Sequence, residues 1–172
     1  MIKKWFIPLF LVFLFVSGAP SAFAQDEVTL QVDGNHKGSI PAPVLSGDVL
    51  MFPFAEIFQG AGYDVETKTN SAGIEVKVIY TGLAYGAHSG IDHYAIFDEA
   101  GQYYYWTTEF TETPIRIGTT SVGVPLDYIR YEIGLDVSWN DQTKTIHVNT
   151  ASSKPENVHE MIGNHGLYLQ IN

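Results

Sequence analysis

The stretch SVGVPLDYIRYEIGLDVSWNDQTKTIHV, residues 121–148, reads as a proline-started helix followed by a β-hairpin. Pro125 suits a first helical turn, where its missing N–H costs nothing. Leu126, Ile129 and Ile133 recur at three- and four-residue spacing, so they form an apolar stripe on one face. Gly134 can adopt the left-handed conformation that ends a helix. Leu135, Val137 and Trp139 then alternate with Asp136 and Ser138, as in a half-buried strand. Asn140 to Thr143 make a polar turn, and Thr145 to Val148 return as a second strand.

The same plan occurs 72 residues earlier. Pro53, Ile57, Gly62, Asp64, Val65, Ile74 and Val76 align without gaps on Pro125, Ile129, Gly134, Asp136, Val137, Ile146 and Val148. Phe54, Ile57, Phe58 and Ala61 supply the first stripe, and the stop falls at Gly60 to Gly62. Tyr63 to Val65 and Ile74 to Tyr80 supply the hairpin. Repeats of this kind decide a fold before any single element does. The expected class is α+β: two repeats of helix plus antiparallel β-hairpin, forming twisted antiparallel sheets packed on two short helices.

Outward from the repeats, Val28, Leu30 and Val32 alternate with polar residues and lead into Asp33-Gly34, a strong hairpin signal. Between the halves (about 28–80 and 113–150) lies an atypical insert, 81–112. Its Gly82, Gly86 and Gly90 read as a flexible connection, and Tyr94 to Phe97 and Gln102 to Phe110 as strands. Residues 151–172 form a polar linker and a tail in which Leu167, Leu169 and Ile171 could add a strand. Lys3, Lys4, the apolar run Trp5 to Val16 and Ala22-Phe23-Ala24 match a secretory signal peptide, 1–24. Export to the cell envelope or the medium is therefore expected, with no membrane span in the mature chain of 25–172.

The net charge is −10, and without Lys3 and Lys4 it becomes −12. Such a chain repels phosphate backbones, which argues against nucleic acid as a partner. It contains no cysteine, so outside the cell it must be held together by core burial alone, with 45% apolar residues to do so. Thiol catalysis and thiolate metal sites are excluded.

Two segments together, VTLQVDGN…PAPVLSGDVLMFPFAEIFQGAGYDVE and SVGVPLDYIRYEIGLDVSWNDQTKTIHV, resemble the copper amine oxidase N-terminal-like domain, or stalk domain. The second half matches its pattern at Val124-Pro125-Leu126, Ile133-Gly134, Val137 to Asp141 and Thr143 to Ile146. The first departs more, with Thr67 in place of the usual Trp. Ala55 and Asp127 stand where the family has Arg. The resemblance covers Val28 to Val148. It implies a non-catalytic module, since the stalk holds neither the copper nor the quinone of the oxidases, so no cofactor is expected.

Each candidate site has a plainer reading beside it. His88, Asp92 and His93 are metal-compatible residue types, as are His159, Glu160 and His165, but neither spacing matches a metal signature and loop histidines are commonplace. No metal is expected. Asp26, Glu27, Asp98, Glu99, Glu109 and Glu112 include no motif for acid–base chemistry, and neither a nucleophile elbow nor a phosphate-cradling loop occurs. Tyr103, Tyr104, Tyr105 and Trp106, with Tyr94 nearby, form the densest aromatic run. On a strand, Tyr103 and Tyr105 would face one way and Tyr104 and Trp106 the other. If one face stays open it offers anchors for a protein, or stacking surfaces for a glycan. The sequence therefore points to a non-catalytic exported module that binds or spaces another envelope protein, with peptidoglycan or another glycan as the second choice. A small secreted hydrolase or hydrolase inhibitor using residues 81–112 is the alternative.

Overall fold

The computed structural model describes residues 26–80, 82–92, 95–98, 103–106 and 110–153; for 95–98 and 103–106 the description is of the backbone. The expected signal peptide (1–24), His93, Tyr94 and the tail from residue 154 lie outside the described residues.

In chain order the elements are β1 (Glu27–Val32), β2 (Asn35–Pro41), β3 (Val44–Ser46), β4 (Val49–Pro53), α1 (Phe54–Gly60), β5 (Asp64–Asn70), β6 (Gly73–Tyr80) and β7 (Leu83–His88). There follow β8 (Ala95–Asp98), β9 (Tyr103–Trp106), β10 (Ile115–Ile117), β11 (Ser121–Pro125), a π-helical turn (Tyr128–Glu132), β12 (Asp136–Asn140) and β13 (Thr145–Asn149). They make three sheets, ordered β12-β13-β1-β2, β10-β11-β4-β3 and β5-β6-β7-β8-β9. The class is α+β, with little helix.

Turn chemistry sets the hairpins. Asp33 (φ 51°) and Gly34 (φ 76°) form a two-residue turn with both residues left-handed, which matches strand twist and joins β1 to β2. The Asn70 side-chain oxygen accepts from the N–H groups of Ala72 and Gly73, closing the turn between β5 and β6. Asn140 does the same for Gln142 and Thr143 between β12 and β13.

Helix α1 ends in a glycine cap. Tyr63 N–H donates to Phe58 O, Gly62 N–H donates to Gln59 O, and Gly62 takes φ 91°. Pro53 is the last residue of β4 and precedes the helix, rather than lying in its first turn. After Pro125 the expected second α-helix is instead a π-helical turn, with Ile133 N–H donating to Tyr128 O at 3.2 Å. The wider turn allows Tyr128, Ile129 and Ile133 all to be buried, which the tighter pitch of an α-helix would not align as well.

Two further expectations are corrected. The first sheet is mixed, because β1 runs parallel to β13, with Leu30 opposite Ile146 and Val32 opposite Val148. A parallel partner cannot come from a tight hairpin, so it has to be brought from the far end of the chain. The Gly82 to Gly90 stretch is not a flexible connection: it contains β7, which pairs with β6 from Glu75–His88 to Tyr80–Leu83 and buries Leu83, Tyr85 and Ala87.

One hydrophobic cluster runs through the molecule, from Leu30 and Val32 through Phe54, Ile57, Val76 and Tyr80 to Ile129, Val137 and Ile146. Ile57 and Ile129 are both fully buried. Strands β4 and β11 meet antiparallel at its centre, where Phe52 pairs with Val124. These two residues are themselves 72 apart, the spacing of the sequence repeat. Ser121 Oγ, itself buried, donates to Glu56 Oε2 at 2.6 Å and ties α1 to β11.

Candidate functional site

The aromatic run forms β9, which is the outermost strand of the five-stranded sheet among the described residues. Strand β6 is packed on the core through Ile74, Val76, Val78 and Tyr80, β7 pairs with it, and β8 and β9 extend the sheet outward. Ala95 pairs with Trp106, Ile96 with Tyr105 and Phe97 with Tyr103, so Tyr104 is an extra residue with no partner on β8. This bulge breaks the strict alternation that the sequence implied for Tyr103 to Trp106.

Of the metal-compatible residues, His88 ends β7 and its Nδ1 donates to Ser89 O at 2.8 Å. Asp92 O accepts from Phe110 N–H. Among the described residues, no three His, Asp or Glu side chains come together in a metal-binding group. His93, His159, Glu160 and His165 lie outside the described residues. The Glu112 carboxylate accepts from Ser46 Oγ at 3.0 Å, linking the segment before β10 to the β3–β4 hairpin. Tyr85 is fully buried, burial pushes its pKa upward, and its hydroxyl has no hydrogen-bond partner among the described residues.

The repeat residues are placed by the core. Val137 is buried and Val65 half-buried, while Trp139 packs edge-on against Phe52 at 6.2 Å with Lys144 over its ring. Gly134 takes φ 83° after the π-helical turn.

Sequence reasoning missed a polar cleft of about 550 Å³ at one end of the mixed sheet. Its floor comes from the solvent-side residues of β12 and β13, where Ser138 pairs with His147 and Asp136 with Asn149. Asp33, Gly34 and Ala151 complete the lining, and the segment 149–153 is tied to the sheet by side-chain hydrogen bonds. Thr150 donates to Asp33 through its N–H (2.8 Å) and its hydroxyl (2.7 Å). Ser152 donates to the Asp136 carboxylate, and Ser153 Oγ accepts from Asp136 N–H and donates to Asn149 O. The two hydrogen bonds from Thr150, the hydroxyl first, hold the Asp33 carboxyl below its usual pKa. Alternation in residues 136–140 already placed Asp136 and Ser138 outward. What could not be read was the parallel pairing of β1 with β13, which brings Asp33 beside them.

The family model described as the copper amine oxidase N-terminal domain matches residues 31–148. No curated protein and no solved structure matches the chain significantly. The chain belongs to the copper amine oxidase N-terminal domain family, and that domain of the oxidases is non-catalytic.

Proposed function

We propose that this family member is an exported, non-catalytic module that binds or spaces another envelope component, a protein before a glycan. Its two halves, about 28–80 and 113–150, act in this reading as copies related by an approximate two-fold axis between Phe52 and Val124. The pairing of those residues at the repeat spacing supports that relation. Residues 1–24 direct export, and the mature chain begins at Gln25.

The observation that carries the binding proposal is the position of Tyr103 to Trp106 on the outermost strand of the five-stranded sheet among the described residues. An edge strand offers free backbone donors and acceptors that another polypeptide can satisfy and a glycan cannot match in the same register. Aromatic residues are the commonest anchors of protein interfaces. The bulge at Tyr104 limits indiscriminate strand pairing, as natural edges require.

The test is capture of envelope material on the immobilised full-length chain, compared with its Tyr104→Ala and Trp106→Ala variants. A protease-sensitive component is expected to be retained by the parent and lost roughly tenfold or more in the variants. Equal retention by all three proteins would remove β9 from the account. Retention that survives protease but not glycan digestion would make a glycan the partner.

A further inference from the structure

We infer that the cleft at the end of the mixed sheet is a second binding site, selective for a neutral, hydroxyl-rich ligand such as a sugar ring. It uses residues apart from β9 and does not depend on the β9 reading. At about 550 Å³ it falls within the usual size range of small-ligand sites.

The selectivity follows from the mixture of groups. Asp33 and Asp136 present carboxylate oxygens, which only accept. Their bonds to Thr150 and Ser152 hold them in place and leave lone pairs over. On the same sheet face as Asp136, which pairs with Asn149, His147 offers a ring N–H, Asn149 an amide NH₂ and Ser138 a hydroxyl. An anion entering the cleft would meet two carboxylates. An organic cation would be attracted to the carboxylates but would leave the donors of His147 and Asn149 facing it unsatisfied. An apolar ligand would strip water from all five groups and return nothing. A hydroxyl donates and accepts at once, so adjacent hydroxyls on a ring can satisfy both kinds of partner. The hydrogen bonds that tie residues 150–153 to Asp33 and Asp136 add pre-organisation.

The experiment is a titration of the full-length chain with glucose and N-acetylglucosamine, followed by backbone amide resonances, with methylammonium and phosphate as charged controls. Saturable shifts are expected at residues 136–138 and 147–151 with either sugar. His147→Ala and Ser138→Ala should each weaken binding about three- to tenfold, the value of one lost hydrogen bond. Both positions are on the sheet's outer face, and circular dichroism melting curves would verify that the variants fold. Trp106→Ala should leave the sugar response unchanged, which separates this site from β9. No saturable sugar response, shifts confined to other regions, or a stronger response to either charged control would overturn the inference.

Discussion

Gly60 sits so close to β1 that an added Cβ would lie 2.1 Å from Leu30 Cδ2, and Leu30 is itself buried. Gly60→Ala should therefore destabilise the fold by about 1–3 kcal/mol in urea denaturation, despite alanine's better helix propensity. An unchanged or raised midpoint would contradict this packing. The sequence alone marks Gly60 as part of a helix stop, yet Gly62 is the residue that takes the left-handed cap. Local spacing cannot reveal that Leu30, thirty positions away, presses on the helix. Asp33 is legible as a turn residue, but its bond to Thr150 spans 117 positions and is not. Its depressed folded-state pKa means that this bond contributes above the unfolded value and is lost as pH falls through the folded one. Thr150→Val should lower the thermal midpoint at neutral pH. The gap to the parent should then close as pH drops below the ordinary aspartate range, measured as melting temperature against pH.

The elements differ in how local their causes are. The hairpins at Asp33-Gly34 and Asn140 follow from residues within the turns and are readable as such, whereas the turn at Asn70 lies beyond the short strand Tyr63 to Val65 that the sequence suggests. The π-helical turn was not, because Leu126, Ile129 and Ile133 satisfy an α-helical stripe equally well. Only the burial of Tyr128 alongside Ile129 and Ile133 selects the wider turn. Strand β7 was hidden by its glycines and small residues, whose burial depends on pairing with β6. Strand position within each sheet predicts local stability. Amides of β6 and β13, paired on both sides, should exchange with solvent far more slowly than those of β5 and β2 at the sheet edges. Hydrogen exchange read by residue tests this. Edge amides as protected as central ones would mean that the edges are covered by something else.

At the scale of the molecule, the family, the α+β class and the burial of Ile57 and Ile129 could be reached from the repeat and its motifs. The mixed sheet and the polar cleft could not, since both arise where the first strand meets the last. The two halves are expected to stabilise one another through a single core, which contains Ile57 from one and Ile129 from the other. Differential scanning calorimetry of Ile57→Ala and Ile129→Ala tests it most directly. A buried Ile→Ala change costs about 2–5 kcal/mol, so each variant should show one cooperative transition shifted down by roughly 10 °C. Two transitions in the parent, each sensitive to only one of the substitutions, would show that the halves melt independently and would contradict the account.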